Sequence, residues 1–231
     1  MATAVVASLA TGFEAQAAFV NSGFESGMTG WTSLGNVAAS AGQNYSGVGT
    51  VNPDSGLAAA KIVSSGVGAS TLASTMGVTK TAFDASNGGE NSTNGAMIYQ
   101  TTSAQAGDTF TFRWNFVEQD YMPFDDWAFY GVALNGGPAS VTKFASLASV
   151  GPGSGSTING WSSLTYNITG SGDYTFYFGI VNAGDTGNNS DLWMDSVTGT
   201  GTLNNVPEPS SLGLVGLGLV GLVAAKRRKS K

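Results

Sequence analysis

The 231 residues carry 15 acidic and 9 basic side chains, 34 glycines, no histidine and no cysteine. Without Cys or His there are no disulfides, no thiolate or imidazole catalysis, and no metal sites built on those ligands. Between residues 18 and 205, thirteen acidic residues face four basic ones, a net charge of −9; such a body repels phosphate backbones, which argues against nucleic acid as a partner.

The first 17 residues, MATAVVASLATGFEAQA, combine a weak apolar stretch with an Ala15-Gln16-Ala17 cleavage pattern and read as a secretory leader. They lack the usual basic n-region, as a start codon placed too far downstream would explain. Residues 18–205 have the length of one domain with a sizeable core. Phe19 to Glu25 opens that domain, and Gly30-Trp31 follows. From Thr32 to Asp108 the pattern is weaker: Gly35–Ala39, Leu57–Val63 and Thr71–Val78 read as short strands between Gly/Ser/Asn turns, and Asp84–Gly95 as loop.

Thr109–Phe116 alternates four polar residues with Phe110, Phe112, Trp114 and Phe116, the period of a half-buried strand. Trp127–Asn135, Ser140–Leu147 and Trp161–Thr169 read as further strands. Tyr174–Val181 is apolar on both faces and hence central, and Asp191–Val197 closes the domain. The pattern predicts an all-β fold, a two-sheet antiparallel β-sandwich, followed by one C-terminal hydrophobic helix.

Carboxylates are the available catalytic groups. Glu118, Asp120, Asp125 and Asp126 crowd one loop, but a glycosidase needs a pair about 5–9.5 Å apart, one of them with a raised pKa. The loop begins Glu-x-Asp, resembling the catalytic strand of laminarinase-like glycosidases, yet the second Glu of that motif is missing. It therefore reads as a solvated acidic loop. Asp185–Asp191 is rich in calcium-type oxygen ligands but reads as a turn. Trp31, Trp127, Trp161 and Trp193, with Phe129 and Tyr130, read as core. Tyr121 and Phe124 lie in a loop and are the candidates to stack on sugar rings.

Residues 206–231 begin Val206-Pro207-Glu208-Pro209. An uncharged glycine-rich run, 212–225, follows, and then five basic residues including Arg227 and Arg228. The prolines interrupt regular structure, and basic residues past an apolar span stay on the cytoplasmic side.

This order closely resembles the PEP-CTERM sorting signal of Gram-negative, exopolysaccharide-producing bacteria. The resemblance implies transient insertion in the inner membrane through 212–225, processing of the tail by an exosortase, and release to the outer surface or extracellular matrix. Residues 88–199 are similar to the body shared by many PEP-CTERM envelope proteins, with Asp195-Ser196-Val197 where those carry Asp-Asn-Val.

The opening, Asn21-Ser22-Gly23-Phe24-Glu25 with Gly30-Trp31, resembles the "NGGFE…GW" start of jelly-roll carbohydrate-binding modules and galactose-binding-like domains. That resemblance implies that Phe24 plugs the core. It also implies that Glu25 and Asp195 can share one structural Ca2+, since first and last strands of a jelly roll lie together. The other reading leaves Glu25 solvated and Asp195 bonded by turn amides. The expected function is an exported, non-enzymatic surface or matrix protein that is associated with exopolysaccharide and binds glycan. The alternatives are a carboxylate-based glycan hydrolase or lyase and, third, an ice-binding protein, for which no Thr-x-Thr repeat runs through the chain.

Overall fold

The computed structural model describes residues 19–150 and 157–200. The leader, the sorting signal and the apolar run 212–225 lie outside the described residues. Among those described, no helix is long and apolar enough to cross a membrane.

In chain order, β1 (Thr32–Leu34), β2 (Val37–Ser40), β3 (Gln43–Tyr45), β4 (Gly49–Val51), β5 (Ala59–Val63) and β6 (Val67–Gly68) precede two helices, α1 (Ala69–Thr75) and α2 (Lys80–Ala85). Then come β7 (Ser92–Ala104), β8 (Thr109–Glu118), β9 (Trp127–Leu134), β10 (Ser140–Ser146) and α3 (Leu147–Val150). β11 (Thr157–Ile158), β12 (Ser162–Asn167), β13 (Gly172–Ala183) and β14 (Asp191–Thr200) complete the domain. One sheet runs β1-β7-β13-β9-β10, with β6 beside β7; the other runs β11-β8-β14-β5-β2, with β12 beside β8. The pairings within both sheets are antiparallel, as the sequence pattern predicts.

The alternation in β8 sends Phe110, Phe112 and Phe116 into the space between the sheets, where they meet Phe176, Phe178 and Ile180 of β13 and Leu192 and Met194 of β14. β13 lies between β7 and β9, and both its faces are apolar because Phe176, Phe178 and Ile180 enter the core between the sheets while Tyr177 and Val181 lie under the helices. At Gly179 any Cβ would stand 2.7 Å from the Ala96 carbonyl oxygen, so the strand needs glycine there. Phe24 is fully buried, at φ +59, and packs with Phe19 and Trp31 to close one end of the core. Phe19–Glu25 itself forms turns rather than a strand, yet it still meets the closing strand through Val197 N–H to Ser22 O, 3.0 Å.

Two stretches differ from the sequence pattern. Thr71–Val78 is mostly helix: Leu72, Ala73 and Met76 turn together onto the outer face of the first sheet, where Phe83 of α2 joins them over Trp127, Phe129 and Tyr177. Asp84–Gly95 is loop only in part, because α2 extends into it and β7 begins at Ser92. β7 carries no alternation to read, since the core covers one of its faces and helices the other. The outer face of the second sheet is covered over Val117 and Trp193 by the β3–β4 hairpin, through Tyr45 and Val51.

Candidate functional site

The loop between β8 and β9 sits at one end of the sandwich against the loop between β13 and β14. Its acidic residues are buried, which corrects the expectation of a solvated loop. Glu118 and Asp126 have no exposed surface, Asp120 has 1% and Asp125 5%. Asp120, Asp125 and Asp126 accept hydrogen bonds from surrounding groups, which offsets the cost of burying their charge. Asp126 accepts the N–H groups of Ala183 and Ser190 and the Ser64 hydroxyl. Asp125 accepts Ala148 N–H at 2.8 Å and has Lys143 Nζ at 3.8 Å. Burial pushes the Asp126 carboxyl up to about 7. Glu118 is raised above its ordinary range, first by burial and then by the charge of Asp125.

Above this buried layer the chain turns through Tyr121, Met122, the cis-bonded Pro123 and Phe124. Tyr121 is 51% exposed and Met122 47%, among the most exposed large apolar side chains described. The Tyr121 and Phe124 rings stand edge to face, 5.6 Å apart at 87°, and form an open right-angled corner. Gly184 lies beneath Phe124, where a Cβ would come within 3.1 Å of the ring. The corner is flanked by polar groups: Asp120 accepts Tyr121 N–H at 2.8 Å, and the Asn188 side chain reaches Asp120 at 3.5 Å. Asp185 caps its own turn through Gly187 N–H, 3.0 Å, and Asn188 holds φ +44, so the Asp185–Asn189 stretch is the turn that its composition predicts. An aromatic platform with polar walls is suited to a sugar, which is apolar on its faces and hydroxylated at its edges.

Glu25 and Asp195 also come together, at a separate place. Asp195 is fully buried and accepts the N–H groups of Ser55, 2.9 Å, and Ser196, 2.6 Å. Glu25 is exposed and accepts Leu57 N–H at 2.9 and 3.1 Å and Ala58 N–H at 3.3 Å. A Cβ on Gly23 would stand 3.9 Å from both Asp195 Oδ1 and Glu25 Cγ. Turn amides thus reach both carboxylates. No group of three acidic side chains among the described residues is placed to hold a metal ion. Calcium here would draw on the two carboxylates and on backbone carbonyls, a donor set its flexible coordination accepts.

Trp31, Trp127, Trp193 and Phe129 are core, as expected, while Trp161 and Tyr130 are half-buried. Sequence reasoning missed the polar network beneath the hairpin. There Tyr45 donates to Asp191 at 2.5 Å, Trp193 Nε1 donates to Tyr45 at 2.9 Å, and Lys61 pairs with Asp191 at 3.1 Å. Its one sequence signal is an Asp leading directly into an apolar strand.

Residues 205–229 match the PEP-CTERM protein-sorting motif, which marks an exported protein. The curated proteins contain no significant match. Among solved structures the chain is similar in fold to TmCBM61 in complex with beta-1,4-galactotriose, at 14% identity and TM-score 0.45, covering 79% of this chain and 97% of that one. It is similar to the K3 cleaved adhesin domain of Lys-gingipain from Porphyromonas gingivalis, at 14% identity and TM-score 0.42, covering 78% and 98%. It is also similar to the CBM22-1 xylan-binding domain from Paenibacillus barcinonensis, at 13% identity and TM-score 0.36, covering 79% and 93%.

Proposed function

We propose that this exported β-sandwich is a non-enzymatic glycan-binding protein of the cell surface or extracellular matrix of a Gram-negative bacterium. An exosortase removes its tail after a transient stay in the inner membrane, and it associates with exopolysaccharide. The observation that carries the reading is the Tyr121–Phe124 corner: two aromatic rings at a right angle, presented at a loop tip beside polar side chains. A non-enzymatic role is supported by the closure of the carboxylates that a glycosidase would use, since Glu118, Asp120, Asp125 and Asp126 are each at most 5% exposed. One calcium ion at Glu25 and Asp195 belongs to the same proposal, as a structural element away from the corner.

A glycan array on the purified protein, scored for binding and for reducing-sugar release, tests it. Binding without release is expected. Tyr121→Ala and Phe124→Ala should each weaken binding about tenfold, the scale of one lost stacking contact. Reducing-sugar release abolished by Glu118→Gln would instead establish the hydrolase.

A further inference from the structure

The outermost strands of the two sheets treat their open sides differently. β10 carries Lys143 and a register shift between Lys143 and Ala145, while β1 and β2 are three and four residues long. Charge, irregularity and shortness each keep an open strand from pairing with another chain. β12 has none of them. Its six residues, Ser162–Asn167, include no charge and no proline, and run in unbroken register from Ser162 opposite Trp114 to Asn167 opposite Thr109. Among the described residues β8 is its one strand partner, and no backbone bond is made along its other side. Every residue of β12 keeps some exposure, half-buried and open in alternation.

The pattern on β12 is complementary to itself. Leu164 and Tyr166 lie on the core side, partly buried, with the Tyr166 ring 6.3 Å from Tyr130 and 5.5 Å from Phe176. Ser163, Thr165 and Asn167 lie on the outer face, where Thr165 meets Thr111 at 3.2 Å and Asn167 meets Thr109 at 3.3 Å. A two-fold axis through Thr165, perpendicular to the sheet, sets Leu164 opposite Tyr166 of a second copy and Ser163 opposite its Asn167. Apolar then meets apolar and polar meets polar, the pairing that stabilises adjacent strands. Charge points the same way. The body from residue 18 to 205 carries −9, so two copies meet with least repulsion along an uncharged edge. Arg113, beside Ser163, is already paired with Asp54 at 2.8 Å.

We infer that β12 is where two copies of this chain join, edge to edge and antiparallel, so that their second sheets become one continuous sheet. A contact of this symmetric kind closes after two copies. β8 leads into the corner loop at Glu118, and the two-fold axis reverses its direction, so the two corners point to opposite ends of the dimer. Resting on the glycan-binding reading above, such a dimer joins two polysaccharide chains rather than gripping one chain twice.

The test is sedimentation of the full-length chain in a nonionic detergent over a wide range of concentration, where a monomer–dimer equilibrium is expected. Thr165→Lys, at an exposed position, brings two like charges to the axis and should weaken the dimer at least about tenfold with little change in melting temperature. The chain has no cysteine, so Thr165→Cys introduces a single thiol. Facing residues of antiparallel strands have Cα atoms about 4.5–5.5 Å apart, within disulfide reach. Mild oxidation should therefore link Thr165→Cys into dimers and leave Thr142→Cys, on β10, unlinked. A chain that stays monomeric at every concentration would overturn the inference and leave the edge to another polypeptide or to none. So would a dimer that Thr165→Lys leaves intact, the mark of association through the apolar run 212–225. Neither result touches glycan binding, which the array measures separately. A β12 dimer that binds no arrayed glycan would keep the interface and remove the cross-linking role.

Discussion

Asp126 accepts the backbone N–H of Ser190 at 3.2 Å, a bond that spans 64 residues of sequence and ties the start of β9 to the approach of β14. Burial makes the charged form of this carboxyl costly and raises it to about 7 from an ordinary 3.8. A folded-state value above the unfolded one means that the contribution to stability is complete below the unfolded value. It is then lost as pH rises through the folded one. The loss is on the order of 4 kcal/mol. Glu118, Asp120, Asp191 and Asp195 are raised by burial and push the same way. Melting temperature should therefore fall between about pH 4 and about pH 7, and Asp126→Asn should flatten that fall. A melting temperature that climbs with pH over this interval would contradict it.

Tyr45 holds the hairpin to the second sheet through one hydroxyl that gives to Asp191 and receives from Trp193. Burial, and then the negative charge of Asp191, drive the phenol far above its normal range, so it stays protonated and donates throughout the working pH range. Tyr45→Phe keeps the ring, leaves the Trp193 N–H without its acceptor and leaves Asp191 to Lys61 and Gln119. A loss of about 2–3 kcal/mol is expected from the urea midpoint at unchanged slope. A loss below about 0.5 kcal/mol would mean that Lys61 and Gln119 suffice for Asp191.

The calcium proposal makes a thermal prediction. A cation bound by the folded form at a concentration 100 times its dissociation constant adds about 2.7 kcal/mol. Heating scans should show a higher melting temperature in calcium than in chelator, with the difference absent in Glu25→Gln and in Asp195→Asn. Superimposable scans would leave the turn amides as the sole partners of both carboxylates.

Processing of the tail is open to direct measurement. The sequence places Pro207 and Pro209, which have no backbone N–H to donate, immediately before the apolar run. Intact-mass analysis of protein recovered outside native cells should show the chain ending near Pro209. Recovery of the extracellular form with Lys231 still attached would count against exosortase processing.

Strands with one wet face could be read from their alternation, and β13 from its unbroken apolar run. β8 announced itself because Phe110, Phe112, Trp114 and Phe116 alternate with polar residues. β7 did not, because helices cover one of its faces and the core the other. Thr71–Val78 misled because seven helical residues with small side chains hold too few turns to show a helical period. At the site, Tyr121 and Phe124 could be picked out as aromatics in a loop, which is where the structure has them. The burial of Glu118, Asp120, Asp125 and Asp126 could not be foreseen. For Asp125 and Asp126 it depends on Ala148, Ala183 and Ser190 presenting amides from far along the chain.

β14 begins at Asp191, paired with Val117 beside the aromatic corner, and ends at Thr200, paired with Thr109 at the other extremity of β8. Ten extended residues cover about 33 Å. The polypeptide that leads to the sorting signal thus departs from the far pole of the sandwich. On the proposal that the tail is first held at a bilayer and that the corner takes glycan, the binding site lies at the pole opposite the one where the described chain ends.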